Sequence, residues 1–178
     1  MLFDKFLSPA PLKERPADFL QISGENGAGS RRMAFSFLRP KSQVLWVASP
    51  WQIYAPALWS LAKEKEIFLT GLDKPQKLSY KRLFYELYES QAFETWILDH
   101  LRLKNSDGFF LMRLLKNSRI QIIVLEDFPY SFCQKRLKVV LSHHHYRLQW
   151  TKGGPLQPQY IAANHLTESL EDICMLQP

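Results

Sequence analysis

One stretch of this sequence narrows the architecture more than any other. Residues 43–48 (QVLWVA) form a strand-length run that is almost wholly apolar. A strand with one face in water alternates polar and apolar residues, whereas a strand covered on both faces need not. The run therefore predicts a sheet buried on both sides, the property of parallel sheets with helical crossovers.

The flanking sequence repeats that logic. Residues 19–22 (FLQI), 67–70 (IFLT), 95–98 (TWIL) and 120–125 (IQIIVL) read as further strands. Helical patterns lie between them. Residues 33–38 are a short apolar helix candidate. Pro56 can open a helix that runs to about residue 65, because a first-turn proline misses no N–H. Leu83, Phe84, Leu87 and Tyr88 share one stripe of a helix over 80–93. Ser106 or Asp107 can cap the next helix, whose apolar members are Phe110, Leu111, Leu114 and Leu115. Residues 136–141 and 146–150 predict two more strands around a histidine-rich turn, and 159–162 a last short one. These late strands lack intervening helices and are expected to pair antiparallel at one edge. The fold class is α/β, with a mainly parallel central sheet flanked by helices.

The domain plan is an N-terminal arm over 1–17, one domain over 18–165 and a short tail or helix over 166–178. In the arm, Leu2, Phe3, Phe6 and Leu7 share a helical face before Pro9, Pro11 and Pro16 intervene. They either pack on the domain or dock a partner. The chain has 178 residues, within the usual range of one domain. No apolar run is long enough for a membrane helix, and the start lacks a secretory pattern. Cys133 and Cys174 have no metal spacing and suit a reducing, cytoplasmic setting.

The chemistry centres on residues 24–31, GENGAGSR. A phosphate-binding loop reads G-x-x-x-x-G-K-[ST] and lies between a strand and a helix. Gly24 and Gly29 keep the spacing, with Gly27 between them, and the context is right. The two functional side chains differ. Ser30 stands where lysine would reach the phosphates, and Arg31 stands where a hydroxyl would hold magnesium. Asp99, at the end of an apolar strand, takes the place of the Walker B acid, or else is a polar strand end. The expectation is a vestigial nucleotide site of Gly24, Gly27, Gly29, Ser30, Arg31 and Asp99. It has no catalytic residue and no cofactor, and retains at most weak nucleotide or phosphate binding. Glu126 and Asp127 read as a residual acidic pair at the next strand end. His143 and His145 share a strand face, but no partner group completes a zinc site, so a solvated turn is expected and no metal.

The formal net charge is +6. This excess, taken as spread along the chain, permits polyanion binding without requiring it. Basic residues near aromatics make Arg31, Arg32, Lys135, Arg136 and Lys138 the nucleic-acid candidates, with Arg39, Lys41, Arg147 and Lys152 nearby. Trp51 and Tyr54, just past the second strand, read as loop packing or as partner anchors.

In order and spacing, LQISGENGAGS, VLWVASPWQIYAPAL, ETWILDH, GFFLMRLL and LKVVLSHHHYRLQW resemble the RecA superfamily core, and within it the ImuA and SulA types. The resemblance covers about residues 18–152. It implies a RecA-like core without ATP hydrolysis, since neither role needs it. The ImuA type implies an adaptor in SOS-induced translesion synthesis and mutagenesis, beside an ImuB-like polymerase relative or RecA, with DNA as a possible further ligand. The SulA type implies division arrest by binding FtsZ. The enzymatic alternative is an ATPase with an altered loop, using Arg31 or Arg32 for charge.

Overall fold

A computed structural model describes residues 18–24, 29–39, 41–48, 66–71 and 79–162. The described strands are β1 (Asp18–Ser23), β2 (Val44–Ala48), β3 (Ile67–Gly71), β4 (Thr95–Asp99), β5 (Gln121–Leu125), β6 (Lys135–Ser142), β7 (His145–Lys152) and β8 (Gln159–Ala162). The described helices are α1 (Ser30–Ser36), α2 (Tyr80–Ser90) and α3 (Asn105–Leu114). The strands form one sheet in the order β3-β2-β4-β5-β1-β6-β7-β8. Pairing is parallel from β3 to β6 and antiparallel from β6 to β8. The expected α/β class, parallel centre and antiparallel edge are all present.

The apolar run over 43–48 is explained by two cores. Alternate residues go to opposite faces of a strand. Trp46, with Leu20, Ile22, Ile97, Ile123 and the α1 residues Met33 and Phe35, fills one core. Leu45 and Val47, with Phe19, Trp96, Leu98, Ile122 and Val124, fill the other, against Phe84 of α2 and Leu111 of α3. β2, β4 and β5 are buried at every position. The side chains of Thr95, Asp99 and Gln121 are paired there, while the buried Trp96 Nε1–H has no partner among the described residues. Gln121 donates to the Phe37 carbonyl at 3.0 Å and accepts from Thr95 Oγ1 at 3.3 Å.

Two helix starts differ from expectation. α1 begins at Ser30 and ends at Ser36, not over 33–38, because its polar first turn is hidden from a reading of apolar residues. α3 begins at Asn105 with Lys104 at the cap, not Ser106 or Asp107. Asp107 instead sits inside the first turn, and its carboxylate accepts the Lys104 N–H at 3.2 Å. An acid there faces the unpaired N–H groups of the helix start. The histidine-rich turn is present between β6 and β7, centred on His143 and His144. The helix expected from Pro56, and the terminal arm and tail, lie outside the described residues.

The topology places the site. The chain leaves β1 for β2 on one side, and later passes from β5 across β1 to β6 on the other. Such a switch opens a crevice at the carboxyl ends of the strands, where parallel α/β sheets place ligands. Gly24, just past β1, and Gly29, just before α1, lie at this end of the sheet.

Candidate functional site

β1 delivers the turn and also holds its surroundings. Gln21 is buried. Its Nε2 donates to the carbonyls of Glu126 at 2.9 Å and Phe128 at 2.6 Å, and its Oε1 accepts the Tyr130 N–H at 2.9 Å. One side chain thus fixes residues 126–130 of the connection that follows β5. That connection reaches back, as Asp127 Oδ1 accepts the Gly24 N–H at 3.1 Å. At the other end of the turn, Gly29 has φ +80°, the left-handed region that favours glycine. A Cβ there would stand 2.8 Å from the Tyr146 ring. Gly29 is therefore required by both conformation and space.

α1 then directs Arg31 across the crevice to β4. Its Nε donates to Asp99 Oδ2 at 2.7 Å, and Nη2 donates to Oδ1 at 3.3 Å. Trp46 Nε1, from β2 between two core layers, donates to the same Oδ2 at 3.0 Å. The Asp99 side chain is 0% exposed, while Arg31 keeps 40%. This two-pronged, charge-assisted pairing is the strong form of an ion pair. It ties the start of α1 to the end of β4.

Beyond Asp99 the backbone is unusual. His100 and Arg102 have φ of 50° and 51°. Non-glycine residues in this region cost about 1–3 kcal/mol each and persist only where the surroundings impose them. Here the His100 N–H is held by the Leu125 carbonyl at 2.9 Å and the Arg102 N–H by Glu126 Oε2 at 3.3 Å. The His100 ring lies between two acids, with Nε2 3.8 Å from Asp99 Oδ1 and Nδ1 3.5 Å from Glu126 Oε1. Next to this group, burial and then the Glu126 charge push the Tyr130 hydroxyl up to about 12. Burial pushes the Cys133 thiol up to about 12 as well, against the opposing influence of Arg136 and Lys152.

The crevice therefore gathers Gly24, Gly29, Arg31 and Asp99, with Ser30 at the start of α1. Gly27 lies outside the described residues. Trp46, His100 and Gln21 complete the site and were not foreseen. Gln21 carried a usable signal, a lone polar residue in an apolar strand, but its partners lie more than a hundred positions away in the chain. Of the two acids after β5, Asp127 holds the Gly24 N–H and Glu126 the Arg102 N–H beyond β4.

The basic candidates fall into two groups, Arg31 and Arg32 on α1 and Lys135, Arg136 and Lys138 on β6. Arg32 donates to the Tyr146 hydroxyl at 3.3 Å. Lys135 pairs with Asp18 at 3.3 Å, and Arg136 donates to the Tyr130 carbonyl. Lys138 is exposed on β6. Leu2, Phe3, Phe6, Leu7, Trp51 and Tyr54 lie outside the described residues. Among the described residues no group of His, Cys, Asp and Glu has a metal-holding arrangement, and no helix is long and apolar enough to cross a membrane. Compared with known proteins, the sequence matches no family model and no curated protein.

Proposed function

We propose that this chain is a non-catalytic adaptor with a RecA-like core, acting in damage-induced mutagenesis by translesion synthesis. The observation that carries the non-catalytic reading is the pairing of Arg31 with Asp99. A P-loop enzyme holds magnesium through the loop hydroxyl and the strand-end acid, and steadies the phosphates with lysine. Here both oxygens of that acid already accept from a guanidinium. A magnesium ion does not fit beside it, because two cations at one carboxylate repel in a site of low dielectric. The protein's own cation takes the place that a metal would need.

The RecA-like reading is supported by three placements together. Gly24 follows a central parallel strand, a helix begins straight after Gly29, and the acid ends a strand separated from that one by β5 alone. The sequence resemblance supplies the pathway. The adaptor would bind an ImuB-like polymerase relative or RecA. Its candidate anchors are Leu2, Phe3, Phe6 and Leu7 in the arm, with Trp51 and Tyr54 after β2.

The test is genetic. Deleting the gene from its source organism should lower the ultraviolet-induced mutation frequency and leave spontaneous mutation unchanged. Unchanged induced mutation overturns the adaptor reading. Loss of damage-induced filamentation in the same cultures would assign the chain to division arrest instead.

A further inference from the structure

Beyond β1 the sheet continues with β6, β7 and β8, and its two faces differ sharply. On one face Leu137, Val139, Tyr146 and Leu148 join the α1 core. On the other, Lys138 and Val140 of β6, Arg147 and Gln149 of β7 and Tyr160 of β8 are all exposed. The registers set these residues in rows. Lys138 faces Gln149, and Val140 faces Arg147, which faces Tyr160. Adjacent strands lie about 4.8 Å apart, so each row is a continuous surface. Tyr160 is 65% exposed and Val140 38%, an aromatic and an aliphatic side chain on either side of an arginine.

The charge of the molecule gathers here and is not spread evenly. Between residues 128 and 167 there is no Asp or Glu, while Lys135, Arg136, Lys138, Arg147 and Lys152 all fall within that span. Lys135 is neutralised by Asp18. Arg136 donates to the Tyr130 carbonyl, and Lys152 to the carbonyls of Cys133 at 2.7 Å and Ser131 at 3.3 Å. Carbonyls satisfy hydrogen bonds without cancelling charge. Lys138 and Arg147 have no partner among the described residues. Among the described residues, four cations without an acidic partner therefore share one end of the sheet with an exposed ring.

We infer that the open face of β6–β8 binds single-stranded nucleic acid. Phosphates meet Lys138 and Arg147, and an unpaired base stacks on Tyr160 beside the Arg147 guanidinium. Such a combination of cations tracking a backbone and rings receiving bases is how sequence-tolerant single-strand binding works. A duplex keeps its bases stacked inside and offers Tyr160 nothing. A polyacidic peptide such as polyglutamate supplies charge but no flat ring to cover Tyr160 and Val140. The inference stands on charge and strand register, and it survives if the mutagenesis reading fails.

Fluorescence anisotropy of the full chain with a labelled oligo-dT of about 16 nucleotides tests it. Binding should weaken with salt. Lys138→Glu combined with Arg147→Glu should weaken it at least about tenfold and flatten the slope of log K against log salt by about 1.4, for two lost phosphate contacts. Tyr160→Ala should weaken binding about tenfold, while Tyr160→Phe keeps it. Thermal unfolding of each variant, all on exposed positions, checks the fold. Several results would overturn the inference. They are no binding at low salt, undiminished binding by the charge-reversed variant, equal loss in the Phe and Ala variants, duplex bound as tightly, or polyglutamate competing as well as oligo-dT.

Discussion

A carboxylate with no exposure stays in a fold only when something inside answers it, because its desolvation costs several kcal/mol. At Asp99 the answer is Arg31, supported by the Trp46 indole. The same two positions would serve magnesium and nucleotide if their side chains were those of a working loop. Ser30→Lys combined with Arg31→Thr recreates G-x-x-x-x-G-K-T. Removing Arg31 also leaves Asp99 uncompensated. The double variant should therefore be about 3 kcal/mol less stable by urea unfolding without ligand. Titration calorimetry should show magnesium-dependent ATP binding in the variant and none in the parent, and bound ligand should restore part of the lost stability. Parent binding with a magnesium requirement would contradict the assigned role of Arg31. From sequence, Ser30 and Arg31 were visible as departures from a motif. The pairing was not, because nothing in the spacing of residues 31 and 99 says that a helix start and a strand end meet across the crevice.

α3 shows how much of an element its pattern reveals. Its apolar members were legible from their period, and Leu111 and Leu115 are buried as that period requires. Its start was not, because Lys104 is a poor capping residue by type and the first turn relies on Asp107 reaching back. Gly108 in its middle looks like a weakness, since glycine costs about 1 kcal/mol against alanine within a helix. The structure gives the reason. A Cβ at Gly108 would lie 2.0 Å from the Phe132 ring, which packs edge-on to Phe19 of β1. The missing side chain lets the helix sit down on the segment that joins β5 to β6. Gly108→Ala should thus destabilise the chain by about 2 kcal/mol despite its better helix propensity, because overpacking forces ring or backbone to move. A raised urea midpoint for this variant would show that Phe132 yields freely. Pairing it with Phe132→Leu, which makes room, should recover much of the loss, and a double-mutant cycle measures that coupling.

The alternation of strands and helices along the chain was enough to foresee a parallel sheet with an antiparallel edge. It could not give the order of strands, which is set by contacts between segments far apart in sequence. The position of β1 between β5 and β6 is such a contact, and it makes the connection after β5 a bridge between the two sides of the sheet. Gln21 staples that bridge from below, and Tyr130 and Cys133 are buried in it. Both are acids whose ionised form is disfavoured by burial, the phenol being raised from 10.0 to about 12 and the thiol from 9.0 to about 12. The folded chain therefore holds these protons more tightly than the unfolded chain. The stability this contributes is complete below about pH 9, where both groups are protonated in both states, and it falls as pH rises toward 12. The urea midpoint should decline over that window. In Cys133→Ala the decline should begin nearer pH 10, where only the phenol remains to titrate. Because the bridge joins β5 to β6 across β1, unfolding should lose the signals of both sides together. A midpoint flat from pH 9 to 12, or an unshifted onset in the alanine variant, would mean that this segment opens to solvent while the rest of the sheet stays folded.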